Sequence, residues 1–245
     1  MRLDKFITSD GRMSRREAAG IIRRGLVTVN GETVRQADFR VDPEADAVAA
    51  DGRRILWRRN TYIMLNKPAG FVSSTEKGKT VMTLLGDEEG RPGLFPCGRL
   101  DADTEGLLLI TDDGALGHLL LSPRRHVEKE YFFECDPPLT AEGFDILRSG
   151  PDLGDFTARP ARTESIDGGA AGRIAVTEGK YHQIKRMVHA AGSEVTYLKR
   201  TKFGPLELDP ALGPGEWRYL TEGEVKALRE AAGVTDETDR TGEKK

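Results

Sequence analysis

The apolar run at residues 107–111, LLLIT, constrains the fold of this 245-residue chain more than any other feature. Its length and composition are typical of a strand that is buried inside a sheet. Three carboxylates, Asp101, Asp103 and Glu105, occupy every second position just before it. Acidic side chains therefore directly precede a strand that is predicted to be buried. The role of these acids is the first question that the sequence raises.

The composition predicts a soluble globular protein. With 38% hydrophobic and 31% charged residues, the chain can form a sizeable core, and its length favours two domains over one. No stretch approaches the ~18 consecutive apolar residues of a membrane span, and the first residues lack the apolar centre of a secretory signal. We therefore expect a cytoplasmic protein without a membrane partner.

The sequence contains no recognisable cofactor motif. Its two cysteines, Cys97 and Cys135, have neither CxxC spacing nor a neighbouring cluster of histidines. We therefore expect both to be reduced residues that pack in the core, not disulfide partners or zinc ligands. A P-loop and the dinucleotide-binding glycine motif are also missing. We expect no cofactor and no metal.

A calcium loop is one alternative for the acidic segment. Asp101, Asp103, Glu105 and Asp112 fall at positions 1, 3, 5 and 12 of such a loop. Position 12 is normally a glutamate, however, and position 9 is the apolar Leu109. Calcium loops of this kind lie between two helices, whereas here a proline-containing segment precedes and a strand-like run follows. A solvated turn before a buried strand is the second alternative.

Charge is distributed unevenly along the chain. Residues 1–60 carry thirteen Lys/Arg and nine Asp/Glu, a local charge of +4, although the whole chain has a net charge of −3. The remaining residues therefore carry −7. A small basic module is joined to a larger acidic one, and such a module is compatible with a nucleic-acid partner despite the negative total.

The basic module has clear local signals. Ser14 and Glu17 form a capping-box pattern that predicts a helix through about Arg24, with Ala18, Ile21 and Ile22 as its buried stripe. The dipeptide at residues 30–31, Asn-Gly, predicts a type I′ hairpin turn, and the Asp-Gly at 51–52 predicts a second turn. The module is therefore expected to contain two short helices and a hairpin.

Four arginines belong to this predicted helix. Arg16 and Arg23 project at nearly the same angle, with Arg15 and Arg24 beside them. On an arbitrary helix such residues usually form a solvated face. The string MRLDKFI…SRREAAGIIRRGLVTVNGETV, however, resembles the S4 RNA-binding domain over roughly residues 1–55. In that domain the second helix presents basic residues to RNA phosphates, which implies this role for the four arginines.

The larger module shows alternating strand and helix patterns that start near Tyr62. Ile184, Met187 and Val188 recur at helical spacing, and Gly192 is predicted to end that helix. The polar end of the chain lacks periodicity and is predicted to be disordered. These patterns divide the chain into residues 1–60, 61–232 and 233–245.

Four strings in the larger module resemble one enzyme family. They are GRLDADTEGLLLITDDG, NKPAGFVSST, SPRRHVEKEYF and EGKYHQIKRM. In this order, and behind an S4-like module, they resemble the RsuA family of rRNA pseudouridine synthases over nearly the whole chain. The resemblance implies an α+β fold with a mixed, largely antiparallel sheet and the active site in a cleft across it. It also implies isomerisation of a uridine without an external reactant.

The resemblance suggests a substrate as well. Within the family, the strings favour the members that act on 16S rRNA at uridine-516 over their 23S relatives. The implied partner is 16S rRNA or an assembling small ribosomal subunit, and the protein is expected to be a monomer. A 23S rRNA synthase and a non-catalytic S4-type RNA-binding protein are the alternatives.

The family's catalytic aspartate corresponds to Asp101. Its basic partner is best assigned to Lys185, with the adjacent Arg186 as the alternative, since a cation within ~4–6 Å favours an ionised carboxylate. Asp103 and Glu105 then need another explanation, and we interpret both as turn or surface groups.

The resemblance assigns three further residues to the substrate site. Tyr131 corresponds to the family's active-site tyrosine, whose ring can stack on an extracted uracil, and Ile184 corresponds to the opposite apolar wall. Arg99 is expected to fill the space that the flipped nucleotide leaves, or to bind a phosphate. His182 and His189 are interpreted as structural or RNA-contacting residues without a catalytic role.

Overall fold

The computed structural model describes residues 1–10, 13–43, 45–55, 57, 60–76, 78–88 and 93–234. The chain divides into two compact units, one formed by residues 1–61 and 85–94 and the other by residues 62–84 and 95–245. The sequence division did not assign residues 85–94 to the first unit, and its domain limits stay a prediction. Within the described residues, no helix combines the length and the apolar character that a membrane span requires.

The first unit consists of short helices followed by a small sheet. Helix α1 is followed by a 3-10 turn and helix α2, and four strands then form an antiparallel sheet in the order β2-β1-β3-β4. The bounds are α1 Leu3–Ile7, α2 Arg15–Arg23, β1 Val27–Val29, β2 Glu32–Thr33, β3 Val48–Ala50 and β4 Arg53–Ile55.

The local signals of this unit are confirmed. The Ser14 hydroxyl accepts a hydrogen bond from the Glu17 backbone N–H at 3.3 Å, and the Glu17 carboxylate accepts one from the Ser14 backbone N–H at 2.7 Å. Ala18 and Ile22 are buried, and Ile21 packs against the same core. Both residues of each predicted turn, at 30–31 and 51–52, have positive φ, as type I′ turns require.

The second unit alternates strands with short helices. A kinked 3-10 segment, Val81–Glu88, runs from this unit into the first. The strands are β5 Tyr62–Lys67, β6 Phe95–Cys97, β7 Glu105–Thr111, β8 Lys129–Asp136, β9 Arg162–Ile166, β10 Ala171–Val176, β11 Glu194–Phe203, β12 Leu206–Glu207 and β13 Trp217–Tyr219. The helices are α3 Gly114–Leu121, α4 Ala141–Ser149, α5 Gln183–Ala190 and α6 Glu222–Ala231, with a 3-10 turn at Asp167–Gly169.

One sheet organises this unit. Within the described residues it has nine strands in the order β13-β5-β7-β11-β8-β10-β9, with β12 paired to β11 and β6 paired to β7. The β7–β11 pair is parallel, and all other pairs are antiparallel. The expected α+β fold with a mixed, largely antiparallel sheet is confirmed.

Strand β7 lies at the centre of the core, as its apolar run predicts. Residues 107–110 are fully buried. Strand β5 pairs with residues 106–111 of β7, β11 pairs with its first two residues, and β6 pairs with residues 109–111. Cys97 packs in a core cluster with Leu107 and Leu109, and Cys135 is buried elsewhere in the unit. Both cysteines are free, so the prediction that they pack as reduced core residues is confirmed.

The end of the described chain differs from the sequence expectation. Gly233 and Val234 were predicted to begin a disordered tail. Instead, their backbone N–H groups donate to the carbonyls of Glu230 and Arg229 at the end of α6, and Val234 packs against the core. Packing of the apolar Val234 side chain against the core explains why the ordered chain extends beyond the end of α6. The rest of the predicted tail, residues 235–245, lies outside the described residues.

The parallel junction between β7 and β11 explains a glycine in the motif. Gly106 pairs with Arg200, and a Cβ at position 106 would lie only 2.3 Å from the Arg200 backbone oxygen. The φ angle of Gly106 is +97°, which other residues rarely adopt. The buried Arg200 guanidinium, in turn, donates to the carbonyls of Leu107 and Gly98, each at 2.8 Å. Gly106 therefore allows the close backbone approach on which this junction depends.

Substitution of Gly106 tests this close approach. We expect Gly106→Ala to lower the free energy of unfolding by about 2 kcal/mol or more, because the new methyl group meets backbone atoms and the φ angle is unfavourable. The matched control is Gly114→Ala in the first turn of α3, where a new Cβ would meet nothing within 4 Å. Thermal unfolding should show a clear loss for Gly106→Ala and little change for Gly114→Ala. Equal melting temperatures for the two variants would contradict the account.

Candidate active site

A cleft in the second unit collects residues from segments that are far apart in the sequence. The loop before β7, strand β8, the turn before α5 and the first turn of α5 all contribute side chains. Its lining consists of Arg99, Leu100, Asp101, Thr104, Tyr131, Val176, Glu178, Gly179, Lys180, His182, Gln183, Ile184, Lys185 and Leu198. The cleft thus brings together five residues that the sequence assigned to the site: Arg99, Asp101, Tyr131, Ile184 and Lys185.

A buried lysine holds the loop that carries Asp101. The Lys67 side chain is fully buried, and its ammonium donates to the carbonyls of Pro68 and Ala102 at 3.1 Å and of Thr104 at 2.7 Å. Burial lowers the pKa of Lys67 to about 8, partly opposed by the attraction of the nearby carboxylates. The ammonium thus holds the backbone just after Asp101 through carbonyl groups.

A serine holds the same loop closer to its start. The Ser73 hydroxyl donates to the Leu100 carbonyl at 2.9 Å and accepts from the Leu100 backbone N–H at 3.1 Å. The Gly70 N–H also donates to the Ala102 carbonyl at 2.7 Å. The segment NKPAGFVSST therefore supports the GRLDADT loop through backbone contacts, which leaves the Asp101 side chain directed into the cleft.

Two nitrogen groups of the turn and helix α5 face Asp101. The Lys185 Nζ lies 3.5 Å from Asp101 Oδ2, and the His182 Nε2 lies 3.5 Å from Asp101 Oδ1. The Asp101 side chain is 31% exposed, so the carboxylate is accessible from the cleft while it has a cation beside it. An adjacent cation favours the ionised form of a carboxylate, which a nucleophile requires.

The shortest contact of Lys185 is with Asp103, not with Asp101. Lys185 Nζ donates to the two oxygens of Asp103 at 2.7 and 2.8 Å, and this contact lowers the pKa of the Asp103 carboxyl. The Asp103 side chain is 72% exposed, as expected for a surface group, but it also orients the lysine. Lys185 therefore bridges both aspartates of the loop.

Glu105 has a different role in the same segment. Its carboxylate accepts a hydrogen bond from the Tyr197 hydroxyl at 2.8 Å. Burial, together with this carboxylate, raises the pKa of Tyr197 to about 12. The interpretation of Glu105 as a turn or surface group is therefore incomplete, because the Glu105 side chain also connects the start of β7 to strand β11. The sequence gives no signal for this contact between residues 92 positions apart.

The buried stripe of α5 fixes the position of its cleft-facing residues. Ile184, Met187 and Val188 are buried, as predicted, and Gly192 follows the helix end with a φ angle of +90°. Ile184 and Tyr131 are both buried yet line the cleft, so each serves as a core residue and as a wall. The apolar character of these two walls suits the flat faces of a nucleobase.

Arg186 is directed away from Asp101. Its guanidinium donates to the Leu153 carbonyl at 2.6 Å, pairs with Asp155 and lies over the Phe156 ring. The alternative that Arg186 is the basic partner of Asp101 is therefore wrong for this structure. Successive residues of a helix point about 100° apart, so only one of the two can face the loop. An RNA contact of Arg186 stays a prediction.

The two histidines of this segment differ in their surroundings. His189 pairs with Glu194 on the surface. His182 lines the cleft beside Asp101, a position that the sequence interpretation did not assign to it. Its backbone adopts the left-handed region, with φ 49° and ψ 32°, at the residue that precedes α5. This conformation depends on the tertiary setting of the turn and has no clear signature in the sequence.

The calcium alternative does not fit the flanking structure. The segment from Asp101 to Asp112 lies between strands β6 and β7 and then runs through β7, whereas a calcium loop of this kind joins two helices. The Lys185 ammonium also lies beside Asp101 and Asp103, at the place where such a cation would bind. The acidic residues are therefore explained by contacts with protein groups.

The four arginines of the first unit lie at or beside α2, as predicted. Arg15, Arg16, Arg23 and Arg24 are all exposed. The Arg23 side chain donates to the Ala19 carbonyl at 3.1 Å. A role in RNA binding stays a prediction for all four.

Comparisons with known proteins identify the family. A family model described as RNA pseudouridylate synthase matches residues 61–190, and a model of the S4 domain matches residues 1–46. The chain belongs to the RNA pseudouridine synthase family. The resemblance that the sequence strings suggested is confirmed, and the synthase is an isomerase with an S4 domain.

Similar proteins share nearly the whole length of this synthase. The uncharacterised RNA pseudouridine synthase YtzG of Bacillus subtilis is 42% identical over 236 residues, which cover 94% of this chain and 99% of the relative. The ribosomal small subunit pseudouridine synthase A of Escherichia coli is 43% identical over 234 residues, covering 93% and 100%. A crystal structure of a pseudouridylate synthase has a TM-score of 0.65 at 35% identity and covers 93% and 99%. The alternative of a non-catalytic S4-type RNA-binding protein is therefore wrong.

The buried ammonium of Lys67 gives the synthase a pH-dependent stability that can be tested. Because burial lowers its pKa to about 8, whereas an exposed lysine titrates near 10.5, the unfolded chain binds more protons than the folded chain between these values. The contribution of Lys67 to stability therefore rises with pH in this window, by up to about 1.4 kcal/mol per pH unit. Lys67→Met removes the titrating group and keeps a long apolar side chain.

Urea denaturation of both proteins measures this effect. We expect the free energy of unfolding of the wild type, minus that of Lys67→Met, to increase as the pH rises from about 8 towards 10. Lys129, whose pKa is also lowered to about 8 by burial, is present in both proteins and cancels in the difference. A difference that stays constant across this range would show that Lys67 titrates like an exposed lysine.

Proposed function

We propose that this synthase isomerises uridine-516 of 16S rRNA to pseudouridine with Asp101 as its nucleophile, and that it acts as a monomer in the cytoplasm. The observation that carries the proposal is the position of Asp101 in the cleft, with Lys185 3.5 Å away. Similarity over the full length to the small subunit synthase of Escherichia coli supports the choice of 16S rRNA. The substrate is the free rRNA or an assembling small subunit.

The reaction conserves every atom of the nucleoside. The bond between N1 of the base and C1′ of the ribose breaks, the uracil turns while it is held, and a bond from C5 to C1′ forms. C5 loses a proton and N1 gains one, so no oxidant, reductant or second substrate is needed. Attack on the ribose, attack on the base and assistance to proton removal all require an ionised carboxylate next to the nucleoside. Asp101 places a carboxylate in the cleft where the nucleoside would lie.

The cleft has the features that an extracted base requires. Tyr131 and Ile184 offer an aromatic and an aliphatic wall, between which a uracil that has left its stack can be held. Arg99 is exposed at the same cleft and is suited to bind a phosphate or to occupy the space that the extracted nucleotide leaves. Enzymes that act on a base inside folded nucleic acid generally extract it in this way.

Substitutions at the two aspartates test the assignment of the nucleophile. We expect Asp101→Asn and Asp101→Ala to abolish tritium release from 16S rRNA that contains C5-tritiated uridine, and to leave RNA binding largely intact. The loop should keep its position, because Lys67 holds it through carbonyl groups. Asp103→Ala should keep most activity, since Lys185 is then free to pair with Asp101 alone. Substantial turnover by Asp101→Ala would show that Asp101 is not the nucleophile.

The target position requires a separate measurement. Pseudouridine should be mapped in 16S and 23S rRNA from cells with and without the synthase. The proposal expects a single loss at uridine-516 of 16S rRNA. A loss confined to 23S rRNA would leave the enzyme class unchanged and show that the substrate has been assigned wrongly.

The arginines of α2 provide a prediction for the S4 domain. If Arg16 and Arg23 bind phosphates, Arg16→Ala/Arg23→Ala should weaken RNA binding. The slope of log affinity against log salt concentration should also become less steep, by about 0.7–0.9 for each phosphate contact that is lost. Catalysis at saturating RNA should change little. The matched control is Arg53→Ala/Arg54→Ala, which removes the same charge from exposed positions on β4. Equal salt slopes for the two double variants would show that the α2 arginines form a solvated helix face and do not bind phosphates.

A further inference from the structure

The aromatic residue Tyr181 is exposed at the edge of the cleft. Its side chain is 76% exposed, more than that of any other large hydrophobic residue among the described positions. Exposure of this much aromatic surface to water is unfavourable in the free protein. Tyr181 belongs to the turn before α5, and the residues on either side of it, Lys180 and His182, both line the cleft.

Tyr181 forms a stacked pair with the ring of His182. The two ring centroids are 3.8 Å apart, and the ring planes differ by 17°. The same His182 ring lies 3.5 Å from the Asp101 carboxylate. One face of the tyrosine ring is therefore covered by histidine, and the pair extends from the reactive carboxylate to the open edge of the cleft. The opposite face of Tyr181 is left for a flat ligand.

The turn that carries this pair is held by its own hydrogen bonds. The Gln183 side chain donates to Glu178 at 2.9 Å and accepts from the Lys180 backbone N–H at 3.1 Å. The Glu178 carboxylate also accepts from the Arg159 backbone N–H at 2.9 Å. These contacts hold the turn on both sides of Tyr181, so its ring loses little conformational freedom when a ligand stacks on it.

The charges of the cleft indicate what kind of flat ligand fits. Arg99 and Lys180 are part of its lining, and they can neutralise phosphates on a strand that enters the cleft. Aromatic faces beside cationic groups are the usual elements of single-stranded nucleic-acid sites, because every nucleobase has a face that can stack. Tyr131 and Ile184 form the walls for the uracil itself, so Tyr181 is left for a neighbouring nucleotide.

We propose that Tyr181, backed by His182, stacks on the unpaired nucleobase next to the extracted uridine and so holds the flanking RNA. The inference rests on the proposed function, because it assumes that the reacting uridine enters the cleft beside Asp101. The inference gives the synthase a second position that binds a nucleobase. This position does not select one base over another, because it contacts the flat face that every base has. Tyr181 is therefore a positioning residue for the RNA strand.

The test uses a 16S rRNA fragment that contains uridine-516, with 2-aminopurine in place of the nucleotide on its 5′ or its 3′ side. The unlabelled fragment is first converted by the wild type, which establishes the proposed function independently. Binding is then measured with Asp101→Asn as the background, so that the reaction does not alter the RNA. Fluorescence of 2-aminopurine falls when the base stacks on an aromatic ring.

We expect quenching at one of the two positions with Asp101→Asn, and loss of this quenching when Tyr181→Ala is added. The affinity should fall by roughly 5- to 150-fold, the range for one stacked base. Tyr181→Phe should retain both quenching and affinity, since it keeps the ring. Leu121→Ala, which removes another exposed apolar side chain of the same unit, should leave both unchanged.

Two results would overturn the inference. One is unchanged quenching and affinity with Tyr181→Ala. The other is an equal loss with Tyr181→Ala and Tyr181→Phe, which would assign the contact to the hydroxyl and not to the ring face. Thermal unfolding of each variant shows whether Tyr181→Ala has lost its structure in general. In that case Tyr181→Phe and Tyr181→Trp are used instead. Both keep an aromatic face and should retain the quenching and the affinity, and loss of both signals in these two variants would overturn the inference. Failure of the wild type to convert the fragment would instead count against the proposed substrate.

Discussion

The buried ammonium of Lys67 is the interaction on which the active site depends. It binds the carbonyls of Pro68, Ala102 and Thr104, and so joins the end of β5 to the part of the loop that follows Asp101. A backbone held in this way needs no contact with the Asp101 carboxylate, which stays accessible from the cleft. The cost is a charge taken out of water, expressed in a pKa lowered to about 8. The backbone of the loop is thus held in place while the Asp101 side chain is directed into the cleft.

The three acids of the loop divide between structure and chemistry. Glu105 binds the Tyr197 hydroxyl and anchors the start of β7 to β11. Both carboxylate oxygens of Asp103 accept hydrogen bonds from the Lys185 ammonium, which also lies 3.5 Å from Asp101. Asp101 is left with the cation nearby and one side open to the cleft. The chain turns at residues 102–103, where the Thr104 N–H donates to the Asp101 carbonyl, and β7 begins only at Glu105, so the three carboxylates do not share one strand face and reach different partners.

Local features of the fold could be predicted from the sequence, and contacts between distant segments could not. The capping box at Ser14, the Asn30-Gly31 turn and the buried strand at 107–111 follow from neighbouring residues, whose preferences act over a few positions. The pairing of Lys185 with Asp103 joins residues 82 positions apart and depends on the parallel β7–β11 junction that brings the loop and α5 together. The same limit explains why His182 was not assigned to the cleft. The family strings named five residues that the structure brings together in one cleft, and they named Lys185 as the neighbour of Asp101, but they gave no indication of its contact with Asp103.

The central claim is that Lys185, and not its neighbour Arg186, supplies the counter-charge for a reactive Asp101. The most direct test compares single-turnover rates of Lys185→Met and Arg186→Met at matched RNA saturation, with binding measured separately. The account predicts that Lys185→Met loses at least about tenfold in rate, equivalent to roughly 1.4 kcal/mol, and that Lys185→Arg retains more because the charge is kept. Arg186→Met should react at nearly the wild-type rate. A normal rate for Lys185→Met together with a collapse for Arg186→Met would contradict the account.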